Sequence, residues 1–231
     1  MRAYVETHGC TLNQADSVII KGILKREGVQ IVEDPSKADW IFLNTCAVKN
    51  ATENRMLSRI RELSKMPGKL VVCGCLPRIN YEAIRKLGNF LVLDTNSLDK
   101  IPRILRGEER DFFSPKHLNK LKMPFVKQGL IAAIPIAEGC LGYCSFCATR
   151  HARGRLTSYP IKDVRLAVER AVNDDSLEIR LTAEDTGIYG WDIGTNLVEL
   201  MHELREIPGD FKIRVGMMDP FACLLYTSPS P

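Results

Sequence analysis

Hydrophobic and polar positions fall into two alternating series separated by a stretch with no period. In the first series short β-rich runs precede helical rhythms: AYVET before Gln14 to Arg26, WIFLN before Glu53 to Lys65, LVVCG before Tyr81 to Leu87, and FLVLD before Leu98 to Leu105. That alternation predicts a parallel sheet with crossover helices. Thr11 with Gln14 has capping-box spacing, and Asn50 with Glu53 is a looser version, so helices are expected to start there. Residues 107–128, GEERDFFSPKHLNKLKMPFVKQ, hold charges, two prolines and no sustained period, which reads as a linker.

The second series opens with LIAAIPIA as a buried strand and continues through a cysteine-rich loop to a helix over Ile161 to Asn173. Its Ile161, Val164, Val168, Ala171 and Val172 share one face. LEIRLT, the loop AEDTGIYGWDIG, a helix over Asn196 to Glu206 and the strand FKIRVGM follow. The expected class is α/β, with an N-terminal open parallel-sheet domain over 1–106, a linker over 107–128, and a second β/α domain over 129–221. An unmatched tail, ACLLYTSPSP at 222–231, breaks the rhythm where another helix is due.

Composition narrows the class. At 231 residues, 45% hydrophobic and 26% charged, the chain reads as a soluble globular protein rather than a disordered one. Its longest apolar runs, such as Leu130 to Ala137, fall far short of the roughly 20 residues that span a bilayer, and MRAYVETHGC lacks a signal peptide's apolar region. A cytoplasmic protein with no membrane partner is expected. Eight cysteines without a secretory signal point to metal binding or catalysis rather than disulfides. The net charge of +4 permits a nucleic-acid partner without requiring one.

The chemistry concentrates in EGCLGYCSFCATRHARGR, where Cys140, Cys144 and Cys147 stand at offsets of four and three with no fourth cysteine nearby. Structural zinc closes its shell with four ligands, and His151 would complete a Cys3His set. The bacterial ferredoxin run is absent. Three thiolates on a 4Fe-4S cluster would instead leave one iron open to a substrate or cofactor. The spacing CxxxCxxC, with Phe146 before the third cysteine and the loop leaving a first strand, resembles the radical S-adenosylmethionine (SAM) superfamily. That resemblance implies a full or partial β/α barrel whose open iron chelates the amino and carboxylate groups of SAM.

Cys10, Cys46 and Cys75 form a second pattern, each just past the C-terminal end of a predicted parallel strand. Loops at that edge of an open sheet converge on one crevice, so three more thiolates would meet there. Singly, each also fits a buried structural cysteine. The adjacent Gly9 and Gly74 favour a ligand role, because glycine lets backbone approach a bulky cofactor.

Taken together, ETHGCTLNQADS, LNTCAV, VVCGCLPR and EGCLGYCSFCATRHARGRLTSYP resemble the methylthiotransferases, over roughly Met1 to Pro220. The resemblance implies an auxiliary 4Fe-4S cluster on Cys10, Cys46 and Cys75, and a radical SAM cluster on Cys140, Cys144 and Cys147. Cys73 matches no ligand position and reads as a strand residue. LTAEDTGIYGWDIG and ETHGCTLNQADS are most similar to the archaeal and eukaryotic branch, which methylthiolates N6-threonylcarbamoyladenosine beside the anticodon of tRNA. SAM is then used twice, once to methylate sulfur on the auxiliary cluster and once as the source of a 5'-deoxyadenosyl radical that takes hydrogen from C2 of the adenine. A ferredoxin or flavodoxin would supply electrons. Isopentenyladenosine in tRNA or a ribosomal protein are alternative acceptors, and a zinc- or cluster-containing RNA-binding module without catalysis is the alternative of another class.

Glu184 and Asp185 follow LEIRLT and are expected to hydrogen-bond SAM, or else to be solvated loop acids. Arg150, Arg153 and Arg155 read either as contacts to tRNA phosphate or the SAM carboxylate, or as surface residues. Asn13 and Asp16 match the family's first motif, with helix capping as their plainer role. Lys116, Lys120, Lys122 and Lys127 read as a solvated face. Only three strands of a partial barrel with about six are visible. The expectation is an incomplete barrel in a truncated fragment whose last residues are foreign to the gene, poorly soluble and inactive on tRNA.

Overall fold

The computed structural model describes residues 1–47, 50–145 and 147–220. In chain order its elements are β1 (Arg2–Thr7), α1 (Thr11–Arg26), β2 (Gln30–Ile31), β3 (Trp40–Thr45), α2 (Asn50–Leu63), β4 (Lys69–Gly74), α3 (Leu76–Ile79), α4 (Tyr81–Arg85), β5 (Leu91–Asp94) and α5 (Ile101–Leu105). Then come β6 (Ile131–Pro135), β7 (Ala137–Glu138), α6 (Thr149–Arg153), β8 (Thr157–Ser158), α7 (Ile161–Asn173), β9 (Glu178–Thr182), α8 (Leu197–Arg205) and β10 (Lys212–Val215). The chain divides into two compact units, the first holding 1–126 and 144–153, the second holding 127–143 and the chain from Gly154 onward.

The first unit is a five-stranded sheet in the order β2-β1-β3-β4-β5, with every pair parallel. Central β3 is buried at every position, and its apolar run over Trp40 to Leu43 suits a strand with helices on both faces. Successive side chains point to opposite faces. Phe42 therefore joins Val5, Val71 and Leu93 under Ile19, Ile20 and Ile23 of α1 and Ile101 and Ile104 of α5. Ile41 and Leu43 join Val72 and Val92 under Met56, Ile60 and Leu63 of α2 and Ile84 of α4. Strand order reverses between β1 and β3, and in such sheets that reversal opens a crevice at the C-terminal edge.

Two expectations are corrected here. Residues 107–126 do not run free as a linker, because they pack within the first unit. Phe112 is buried and bridges to Leu93 in parallel, and Leu121 is buried as well. Pro124 and Phe125 cross α1 at Gly22, where an added Cβ would stand 2.4 Å from the Pro124 carbonyl oxygen. Such a segment buries by isolated contacts rather than along one face, so it carries no period. α1 also starts on Cys10, which occupies the N-cap position without a side-chain cap bond, so Thr11 is not the cap.

The second unit contains a parallel three-stranded sheet, β10-β9-β6. α7 buries Val164, Ala167, Val168 and Ala171, and α8 buries Leu200 and Leu204. The antiparallel pair of β7 and β8 joins Ala137 to Ser158 and Glu138 to Thr157, closing the base of the cysteine loop. The unmatched tail lies outside the described residues. Among the described residues no helix is long and apolar enough to cross a membrane.

Candidate metal centre

Strands β1, β3 and β4 lie side by side, so the loops that leave their C-terminal ends meet. Cys10 ends the loop after β1, while Cys46 and Cys75 are the first residues after β3 and β4. The thiols of Cys10 and Cys75 both donate to one atom, Asn13 Oδ1, at 3.6 Å and 3.8 Å. Cys46 is brought beside them: its Cβ lies 3.0 Å from the position a Cβ on Gly9 would take. Cys46 and Cys75 are buried and Cys10 is exposed, so the trio opens toward solvent at Cys10.

Asn13 ties the three loops together. Its Nδ2 donates to Thr45 O at 2.9 Å, Asn44 Oδ1 at 3.2 Å and His8 O at 3.4 Å, which turns Oδ1 toward the sulfurs. Asn44 Nδ2 answers with bonds of 2.8 Å to Asn13 O and Ser17 Oγ. Three converging thiols on a half-buried edge suit soft, thiolate-held iron, and a cubane spreads its ligands wider than a single ion does. The residues fit such a cluster. Gly9 and Gly74 serve a different purpose from the one expected. At φ +137° and +95° their Cβ atoms would fall 2.9 Å from Asn13 Cγ and 2.3 Å from Thr45 O, so they make room for neighbouring loops. Cys73 faces the core and donates to Leu43 O at 3.3 Å. Burial, helped by the Asp16 charge, pushes its thiol far above the ordinary range and keeps it protonated.

Beneath the trio lies an ionic network that sequence reasoning missed. Asp16 is 1% exposed. Its carboxylate accepts from Lys120 Nζ at 2.6 Å and from Arg153 Nη2 at 2.7 Å. The same Arg153 nitrogen donates to Asn13 Oδ1 at 3.1 Å. Asn13 and Asp16 are therefore not helix caps, Lys120 is not on a solvated face, and Arg153, 1% exposed, cannot meet a phosphate. The available signal was the position of Asn13 and Asp16, which stand three apart and share the buried stripe of α1 with Ile20.

Arg153 closes α6, and α6 packs on α3, the helix that starts after Cys75. Cys144 and Cys147 precede α6, with the Cys147 N–H donating to Cys144 O at 3.0 Å. In the second unit the Gly142 N–H donates to Cys140 Sγ at 3.2 Å. The Cys140 N–H itself donates to Gly154 O. Phe146 lies outside the described residues. Glu184 is half-buried, two residues past the end of β9. Asp185 is buried, and its Oδ1 accepts from the N–H groups of Gly187 and Asp219 at 2.9 Å and 3.1 Å, so this oxygen holds loops together. Arg150 is half-buried, while Arg155 and His151 are exposed. All seven described cysteines stand as thiols. Among the described residues no three His, Cys, Asp or Glu side chains are grouped as ligands of a single metal ion.

Residues 2–93 match the model of the uncharacterised protein family UPF0004. Over 95% of its length the chain is 41% identical to a probable threonylcarbamoyladenosine tRNA methylthiotransferase of Pyrococcus horikoshii, covering 53% of that protein. Over 95% of its length it is 33% identical to the threonylcarbamoyladenosine tRNA methylthiotransferase of Homo sapiens, covering 40% of it. The chain belongs to the methylthiotransferase family. It spans about half the length of the curated methylthiotransferases of archaea that it matches. The fold also resembles two solved radical SAM enzymes. Against the methyltransferase TsrM from Kitasatospora setae the TM-score is 0.55 at 14% identity, covering 89% of this chain and 50% of that one. Against the cobalamin-dependent enzyme OxsB it is 0.61 at 13%, covering 92% and 38%.

Proposed function

We propose that the protein methylthiolates tRNA, adding a methylthio group at C2 of N6-threonylcarbamoyladenosine next to the anticodon. The observation that carries this reading is the convergence of Cys10, Cys46 and Cys75 around Asn13 in a chain that also bears the Cys140, Cys144, Cys147 motif. One triad belongs to the domain over 1–106 and holds the auxiliary 4Fe-4S cluster. The other, Cys140, Cys144 and Cys147, holds the cluster that chelates SAM. When bound, these groups supply the sulfur, the methyl group and the radical.

The chain's own residues bind, orient and shield. Asn13 fixes the loops that carry the first triad, and burial of Cys46 and Cys75 keeps water from two of its three sulfurs. The Gly142 N–H donates to Cys140 Sγ and orients it. Glu184, two residues past the C-terminal end of β9, is the acid offered to SAM, and Phe146 and Asp185 are assigned to cofactor binding as well. Arg150 of α6 and the exposed Arg155 are the cations offered to tRNA phosphate. A ferredoxin or flavodoxin delivers the electrons, and the reaction takes place in the cytoplasm.

Mass spectrometry of tRNA nucleosides from cells with and without the gene tests this. Loss of the methylthio form, with N6-threonylcarbamoyladenosine accumulating, is the expected result. Unchanged methylthiolation of that nucleoside, or loss of methylthio-isopentenyladenosine instead, contradicts the assignment.

A further inference from the structure

We propose that Arg153 and Asp16 set the electrostatic potential of the group held by Cys10, Cys46 and Cys75, with Asn13 as the shared contact. Arg153 is then a positioning residue of the first triad, although it follows the second cysteine motif in sequence. The inference rests on reading Cys10, Cys46 and Cys75 as cluster ligands.

Asn13 Oδ1 receives three donors, the two thiols and the guanidinium of Arg153. Holding iron strips the thiols of their protons, so two of those donors vanish and the amide oxygen is left facing anionic sulfur. Arg153 still donates to it, which holds the amide in place and sets a cation one residue behind the sulfurs. Its carboxylate partner, Asp16, fixes the direction of the guanidinium and offsets part of its charge. Both side chains are almost wholly buried, where water and salt screen a fixed charge poorly. Charge and hydrogen bonding around the sulfurs are among the levers that set a cluster's potential.

The signs separate this from a merely structural role. Arg153→Gln removes a positive charge, disfavours the added electron and lowers the potential. Asp16→Asn removes a negative charge and raises it. Loosened packing gives no reason for opposite signs.

The test is a redox titration, followed by electron paramagnetic resonance, of the anaerobically reconstituted chain carrying Cys140→Ala, Cys144→Ala and Cys147→Ala. The expected result is a lower potential in Arg153→Gln, a higher one in Asp16→Asn and a value near the parent's in Arg153→Lys. A background protein without iron overturns the ligand reading and this inference with it. Iron retained with equal potentials, or shifted in one direction in both variants, overturns the inference alone. If Arg153→Gln takes up no iron, Asp16→Asn decides: a rise supports the proposal and any other value overturns it. Loss of iron from all three variants makes the network a folding element and also overturns it.

Discussion

The side-chain amide of Asn13 has a donor end and an acceptor end, and the first site uses both. Its nitrogen is committed to His8 in the loop after β1 and to Asn44 and Thr45 at the end of β3, while its oxygen is shared among two thiols and a guanidinium. Asn44 Oδ1 is buried and takes its hydrogen bond from this amide. Truncation would leave that oxygen without a donor, at a cost of about 1–3 kcal/mol. Asn13→Ala should therefore lower the urea midpoint by a corresponding amount and reduce iron uptake at the first triad. A midpoint equal to the parent's would contradict the role assigned to this residue.

Among the elements, β1 is joined to α2 by a two-pronged ion pair. Arg59 Nε and Nη2 donate to the two oxygens of Glu6, each at 2.8 Å, and Tyr4 and His8 contact the same carboxylate. Burial alone would raise the Glu6 carboxyl, but the hydrogen bonds from Arg59, His8 and Tyr4 outweigh it and bring it down from 4.5 to about 2. A group whose folded value is depressed stabilises the fold above its unfolded value and loses that contribution as pH falls through the folded one. Stability of the first unit should fall between about pH 4.5 and pH 2 by on the order of 2 kcal/mol more than in Glu6→Gln. Urea unfolding across that window measures it, and parallel curves for parent and variant would contradict it.

The same elements show what a sequence discloses. β1, β3, β4 and β5 are legible because each is a short apolar run followed by a helical rhythm, and the three cysteines are legible because each follows one of those strands. β2, with two residues, and α3, with four, are too short to show a period. Lys120 and Arg153 were illegible for another reason. Their partner Asp16 lies 104 and 137 residues away, so local pattern could only mark them as surface cations.

At the scale of the whole molecule, the first unit takes back residues 144–153, so Cys144 and Cys147 belong to it while Cys140 belongs to the second. The second unit presents, along β10 and α8, an apolar groove of about 580 Å³ lined by Val198, Met201, Leu204, Ile207, Phe211 and Ile213. Among the described residues β10 is an outer strand of this sheet. Uncovered apolar surface of this kind favours self-association, so cluster content is best measured in dilute protein.

The central claim is that the two cysteine triads hold two independent 4Fe-4S clusters, and iron per chain after anaerobic reconstitution tests it most directly. The account predicts about eight iron atoms in the parent. It predicts about four when Cys10, Cys46 and Cys75 are replaced by alanine, and about four when Cys140, Cys144 and Cys147 are replaced. A parent that never exceeds about four atoms, or a fall to none in either variant, would contradict it.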